Sequence, residues 1–563
     1  LNLRAKKFKI TFLKGIFLAG NVWKEIELDE RAHRIGRERN LSLLEAKIVS
    51  RLLHPRLEGA YFAQEPLSFD IQIPNIKESA QFIAKAVKDG KKILVHGDYD
   101  TDGIMGTTIL YSGLKSLKAD VSFYIPSRFE NGYGLSMCSV EAAKKEGAQI
   151  VLTVDCGTNS KDIQKELESL GIALVVTDHH IPEKENLLDS FLVNPFLGED
   201  EEAKTLSGAT VGYFLLRKIA ENLNEILPEE PFVRLCGIAT VSDVVPIGAF
   251  NWNLCKKAFF ALQSSPSPGL NALLRKCPTP PYRCHHIAFY LSPRLNAAGR
   301  MEDANLVLDI LLERDSERAE NLVEKLEELN TTRRYLQAQM ADEIEKNFGE
   351  DDLPFLFCAS EKFHLGLLGP VASKLCQEKN KSVFLISVDG ENATGSARSV
   401  GDIDVTSLLR EANGIFKRLG GHERAAGFTL ETGNIVKLRE FLEKRYKVSD
   451  SQKESVNCYF SIHPDETEKV WEILGKLDPI EPSIKPPFFA FETRFLSPPR
   501  IIKDKHLLWN IPINNGRSFS AFYFDALSKI SEIPKNERLI VGRILPDKLR
   551  SNPNFFFEVK DII

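Results

Sequence analysis

The spacing of apolar and polar positions divides the chain into regions of different period. Between about residues 92 and 245, the short β-branched runs "KILVHG", "VSFYIP", "QIVLTVD" and "IALVVTD" alternate with segments of helix length. This alternation predicts a parallel sheet with crossover helices. In such sheets ligands gather beyond the carboxyl ends of the strands. The acids of this chain fall there: Asp98, Asp100 and Asp102 follow the first run, Asp155 ends the third, and Asp178, His179 and His180 end the fourth.

Farther along, Ala319, Leu322, Leu326, Leu329, Leu336, Met340 and Ile344 recur at three- and four-residue steps with charges between them. They predict one long amphipathic helix able to join two lobes. Beyond it, "LPFLFCAS", "KSVFLISV" and "AAGFTL" predict a second, smaller α/β domain ending near residue 450, followed by a linker rich in Ser, Glu and Lys. From residue 491 onward come five strand-like runs with interleaved aromatics, and 12 Lys and Arg stand there against 8 Asp and Glu, an excess of +4. This fits an oligonucleotide-binding (OB)-like β-barrel, and on composition alone it equally fits a structural barrel with an aromatic core. The expected organisation is therefore α/β: an N-terminal extension (1–75), a parallel-sheet catalytic domain (76–310), a connecting helix (311–348), a smaller α/β domain (349–450), and a linker with an OB-like nucleic-acid-binding domain (451–563).

A chain of 563 residues is too long for one hydrophobic core. Its net charge of −5 gives no global sign of nucleic-acid binding but leaves room for a local basic channel. Nine cysteines, odd in number and without a C-x-x-C pair, point to reduced thiols and a cytoplasmic location. The N-terminal stretch begins basic, but Lys14 interrupts its apolar part, so no secretory signal is expected. No apolar run reaches the length of a membrane span.

The stretch "HGDYDTDG" crowds three like charges at alternate positions. Buried carboxylates are costly unless a cation neutralises them. His96, Asp98, Asp100, Asp102, Asp155, His179, His180 and Asp243 form an oxygen-rich set with some imidazole, which suits Mn²⁺ or Mg²⁺. They outnumber the octahedron of one ion. Two divalent ions sharing a carboxylate, most simply Asp155, would use them all and would activate water for phosphoester cleavage. Taken singly, a strand-end Asp is more often a helix cap, and a lone His is usually a satisfied core residue. The convergence at several ends of one sheet is what favours metal. Arg128, Arg294, Arg300 and Arg398, with Asn296 and Ser396 in the same short polar motifs, are the candidate phosphate-binding groups, a surface salt bridge being the ordinary alternative for each arginine.

The succession "HGDYDTDG", "TVDCG", "VVTDHH", "SGATVGYFLL" and "SDVVPI" resembles the DHH phosphoesterase superfamily, and within it the exonucleases of single-stranded DNA. "IPSRFENGYGL", "LSPRLNAAGRM", "FHLGLLGPVASKL", "GSARS" and "GGHERAAG" extend the likeness in order from about residue 40 to 430. The resemblance implies that His96, Asp100 and Asp155 hold one metal, and that Asp102, Asp155, His179 and Asp243 hold the other. It sets His180 at the scissile phosphate, with Asp155 and Asp100 as its catalytic companions. Asp98 either binds directly or hydrogen-bonds a ligand. Arg128 and the "GSARS" motif resemble a pocket for the strand's 5′ end, and His422, after Gly420 and Gly421, resembles a phosphate contact.

Two departures stand out: Ser242 occupies a position where the family usually carries Ala, and Asn253 is followed by Leu254 where an Arg is common. The implied function is a metal-dependent 5′-to-3′ exonuclease of recombination and repair that acts as a monomer on single-stranded DNA. A single-strand-binding protein and a helicase are candidate partners. The rivals are a DHH phosphodiesterase of short oligonucleotides or cyclic dinucleotides, and a non-catalytic binding scaffold.

Overall fold

The computed structural model describes residues 17–18, 21–63, 67–127, 134–183, 186–188, 191–264, 266–278, 280–348, 353–412, 414–446, 456–480, 487–493, 497–531, 533, 538–547 and 555–563. The chain divides into two compact units, one of residues 55–451 and 478–483, the other of residues 1–54, 452–477 and 484–563.

In the first unit, β1 (Ile93–Gly97), β2 (Val121–Tyr124), β3 (Ile150–Val154), β4 (Ala173–Thr177) and β5 (Leu192–Val193) form a sheet in the order β2-β1-β3-β4-β5, parallel throughout. Every residue of β1 and β3 is buried, as expected where helices cover both faces. The chain leaves β1 for β2 on one side and then crosses to β3 on the other. The crevice of this sheet therefore opens at the carboxyl ends of β1 and β3, where the sequence places Asp98 to Asp102 and Asp155.

Helix α1 (Thr101–Ser116) follows β1 and packs against α2 (Gly208–Leu223) and α3 (Glu229–Ser242). Next come α4 (Ser292–Met301) and the 33-residue α5 (Ser316–Phe348), which at 1.5 Å per residue runs about 50 Å. Ala319, Val323 and Leu326 of α5 belong to the core of the parallel-sheet lobe, while Met340 and Ile344 pack with Leu367, Val371 and Leu375 of the second lobe. The helix starts later than the expected residue 311, because Asn305–Leu312 is a separate helix and the Asp315 carboxylate accepts the Arg318 amide to cap the new one.

The second lobe holds β6 (Phe355–Ser360), β7 (Ser382–Asp389), β8 (Asn392–Arg398), β9 (Phe416–His422) and β10 (Ala425–Glu431), ordered β9-β10-β8-β7-β6. Only β6 and β7 run parallel.

In the other unit, all five expected runs from residue 491 onward are seen as strands, within Phe488–Thr493, His506–Pro512, Ser518–Tyr523, Arg538–Pro546 and Phe555–Ile562. Phe491, Phe519, Phe555 and Phe557 fill the interior of this OB-like region. Two expectations need correction. Residues 1–75 are not one separate extension: Asn21–Glu25 pairs in parallel with Val456–Ser461 in a nine-stranded sheet, and the Trp23 indole donates to Asp561 at 2.9 Å. Residues 55–75 instead belong with the first unit, where Asn75 donates to the Leu192 carbonyl at 2.8 Å. Part of the expected linker is likewise structured, as that strand and the helix Thr467–Leu477.

Candidate metal centre

The turn after β1 is built so that carboxylates face inward. Asp100 has an extended backbone and caps α1, its Oδ1 accepting the amides of Asp102 at 2.9 Å and Gly103 at 3.2 Å. Gly103 is required for this fold-back, since a Cβ there would lie 2.5 Å from the Asp98 backbone. Asp102 accepts two amides from the start of α2, Gly208 at 2.7 Å and Ala209 at 2.9 Å, so a helix N-terminus holds it. Gly208 is pressed equally close to Asp155, whose Cβ would be 2.6 Å from an added methyl. Asp155 itself has φ +63°, a left-handed conformation that Asp and Asn tolerate better than most residues.

His179 joins these acids. Its Nδ1 donates to the Leu206 carbonyl at 3.0 Å, which leaves the Nε2 lone pair facing Asp155 at 3.1 Å, Asp243 at 3.5 Å and Asp102 at 3.7 Å. Its neighbour His180 turns Nδ1 to Asp178 at 2.7 Å. Asp178 is buried and also accepts the amides of Thr158, His179 and His180. Among the described residues, three groupings are close enough to share a cation: Asp98, Asp100 and Asp155; Asp102, His179 and Asp243; and Asp155, His179 and His180.

The protonation pattern follows from this crowding. Burial first, then the charge of Asp100, pushes Asp102 up to about 7, and burial with Asp102 and Asp100 pushes Asp243 up to about 8. Asp155 is driven well above the carboxylate range by burial and by Asp102, Asp100, Asp243 and Asp98. Burial lowers His179 to about 4, so its ring is neutral at pH 7. Burial also opposes a charge on His180, but the hydrogen bond and charge of Asp178, with Asp243 and Asp102, outweigh it and carry the ring to about 9.

The other sequence-selected residues divide. His96 is fully buried and belongs to none of the three groupings; its Nε2 lies 2.9 Å from the Ser139 hydroxyl and its Nδ1 3.6 Å from the Cys156 sulfur. Arg294, expected to bind phosphate, is buried, ion-paired with Glu327 of α5, and donates to the Tyr290 carbonyl. Asn296 accepts the Thr101 amide at 2.9 Å and its hydroxyl at 3.0 Å, so it holds the start of α1 rather than standing clear for substrate. Arg300 reaches the Gly366 carbonyl at 3.5 Å.

Arg398 is half-buried and fixed by the Ser373 and Ser396 hydroxyls, each at 3.0 Å, and by the Ala397 carbonyl at 2.8 Å. Gly420, Gly421 and His422 are exposed on the β9–β10 hairpin. Gly421 and His422 line a cavity of about 500 Å³ with Arg410, Arg424, Thr406 and Ile181, the residue after His180. Arg128 lies outside the described residues.

Comparison with known proteins places this geometry. The DHH family, N-terminal domain, matches residues 92–239, and the DHHA1 domain matches residues 352–448. The single-stranded-DNA-specific exonuclease RecJ of Thermus thermophilus is 34% identical over 362 residues, 64% of this chain and 53% of that protein. The chain thus spans about half the length of that relative. The enzyme of the same name from Salmonella typhimurium is 32% identical over 64% of this chain and 67% of its own. The chain belongs to the RecJ family. A crystal structure of Thermus thermophilus RecJ in complex with Mn²⁺ superposes with a TM-score of 0.78 at 25% identity, covering 96% of this chain and 79% of that one.

Within this RecJ-family chain, sequence reasoning left some supporting residues without a role. Asp178 was legible as the first residue of "DHH", but its grip on His180 is visible only in three dimensions. Leu206 acts through its carbonyl and Ser373 through a hydroxyl 25 residues from Arg398, so neither leaves a local signal.

Proposed function

We propose that the chain is a metal-dependent exonuclease that hydrolyses single-stranded DNA from its 5′ end to 5′-mononucleotides in recombination and repair. The observation that carries this reading is the neutral Nε2 of His179, directed at Asp155, Asp243 and Asp102 at 3.1 to 3.7 Å. A lone pair against three acids is repulsive unless a cation or proton lies among them. The donors are carboxylates with one imidazole, which fits Mn²⁺ or Mg²⁺. Asp98, Asp100 and Asp155 would hold one ion, and Asp102, Asp155, His179 and Asp243 the second, with His96 joining the first only on leaving Ser139. Ions bound there would supply Lewis acidity and a more acidic water.

The chain's own groups supply the rest. In the metal-free protein Asp178 holds the Nδ1 of His180 and favours the protonated ring, and in that form the ring would donate a hydrogen bond to a phosphate oxygen. Arg398, braced by Ser373 and Ser396, presents its guanidinium to the 5′ phosphate. Gly421 and His422 line the cavity next to Ile181 and offer contacts to the backbone of the strand.

Kinship with relatives named single-stranded-DNA-specific exonucleases supports the substrate, and the family resemblance supports the polarity. The OB-like region with its aromatic and basic residues supports a polymer over a cyclic dinucleotide. A single-strand-binding protein and a helicase are the partners this role would bring to a cytoplasmic monomer. Digestion of 5′-labelled and 3′-labelled single strands with Mn²⁺ or Mg²⁺ tests the reading. Release of the 5′ label first, as a mononucleotide, is expected; release of the 3′ label first, or no cleavage with either ion, overturns it.

A further inference from the structure

The short helix Cys284–His286 widens at Ile287–Leu291 into a π-helical turn before α4 begins at Ser292. Such turns are rare and often mark functional sites. This one buries Ile287 and Leu291 completely and leaves Phe289 68% exposed. The Phe289 ring lies on the imidazole of His285, centroids 4.6 Å apart and planes at 32°, and Tyr290 meets the same imidazole edge-on at 5.8 Å. Burial lowers His285 to about 4, so the ring pair is uncharged at pH 7.

The turn packs against α3, and the hydroxyls of Ser242 and Ser292 lie 2.5 Å apart where α3 ends and α4 begins. The residue after Ser242 is Asp243, one of the acids facing His179. Next comes Val244, with φ +59°, a costly conformation for a β-branched residue, and with 63% of its surface exposed. A rare π-turn and a left-handed valine therefore flank one hydroxyl pair at the margin of the acidic cluster. Each holds an apolar side chain in solvent, where burial would ordinarily draw it inward.

We propose that Phe289, backed by His285, is a stacking platform for an unpaired nucleobase of the strand whose phosphate lies at the carboxylate cluster. The inference rests on the nucleic-acid reading above and names a residue that makes the site selective. Every base has a π-face, so the contact tolerates any sequence. Bases inside a duplex have both faces already stacked, so the platform favours a single strand.

Phe289→Ala and Phe289→Trp variants test it on two strands, one with all its bases and one with abasic sites at its 5′-terminal nucleotides. A 2-aminopurine-labelled strand bound to the metal-free protein gives a readout independent of cleavage. Phe289→Ala is expected to raise KM for the base-bearing strand about tenfold and to leave the abasic strand unaffected, while Phe289→Trp restores the wild-type value. Quenching of 2-aminopurine by the wild type is expected to weaken in Phe289→Ala. Equal losses on both strands, no loss on either, or unchanged quenching would overturn the platform. A wild-type protein that cleaves neither strand refutes the nuclease reading instead, and the quenching comparison still decides the platform.

Discussion

The Nδ1 of His179 lies 3.0 Å from the carbonyl oxygen of Leu206, and this one bond selects the tautomer that gives the site its character. Leu206 immediately precedes Ser207, whose hydroxyl caps α2, and Gly208, whose amide holds Asp102. Three consecutive residues thus orient an imidazole, begin a helix and anchor a carboxylate.

Replacing Asp155 by Asn should reduce cleavage below a few per cent of wild type, since Asp155 takes part in two of the three cation-sized groupings. Asn tolerates the left-handed backbone that Asp155 adopts, so the fold should survive. Because burial and the neighbouring acids already keep Asp155 protonated in the metal-free protein, the metal-free variant should melt close to the wild type near neutral pH, while Mg²⁺ should stabilise it less than the wild type. Differential scanning fluorimetry with a single-strand digestion assay checks both halves.

Metal-free protein should lose stability as pH rises. Asp102 and Asp243 are raised from 3.8 to about 7 and about 8, so their contribution is complete below about 4 and disappears as pH passes through 7 to 8. Added Mg²⁺ replaces those protons, so its stabilising effect should be larger at pH 8.5 than at pH 6. A melting shift on adding Mg²⁺ that is equal at both values would contradict this account.

Asp178→Asn should let His180 fall from about 9 toward its ordinary 6.5. The wild-type ring keeps its proton at pH 8 and the variant's ring does not. NMR titration of the two metal-free proteins should therefore show the variant's His180 losing its proton at a lower pH than the wild type's. Superimposable titrations of the two proteins would remove Asp178 from its assigned role.

Arg398→Ala should weaken cleavage of 5′-phosphorylated strands more than of 5′-hydroxyl strands, with Mn²⁺ affinity unchanged, because the guanidinium belongs to none of the cation-sized groupings. Competition between the two strand types, followed by gel electrophoresis, reads the ratio directly.

Gly208→Ala places a methyl 2.6 Å from the Asp155 side chain and 2.7 Å from its Cα. Metal affinity measured by calorimetry should fall about 10- to 100-fold, as when other groups that orient ligands are disturbed. Unchanged affinity would mean that the loop carrying Asp155 yields easily.

The acids of the site were legible because a parallel sheet exposes its strand ends on one edge, so three separated motifs announced a common location. The long helix was legible for a similar reason, its apolar stripe repeating over many turns. The pairing of Arg294 with Glu327 was not legible, because that partner lies 33 residues away on another helix. The link of Asn296 to Thr101 was not legible either, because it spans 195 residues. Local pattern reports period and propensity, and pairings across the fold leave no trace in it. The strand Asn21–Glu25 was missed for the same cause.

That strand also has a consequence for how the protein is made. Val22 pairs with Val456, so during synthesis at ~5–20 residues per second its partner emerges about 20 to 90 s later. For that interval the edge of the strand that faces Val456–Ser461 must wait unpaired, while residues 55–451 are made first. Chains that end before residue 456 should therefore protect much of residues 55–451 from protease and leave the segment around Trp23 open to cutting.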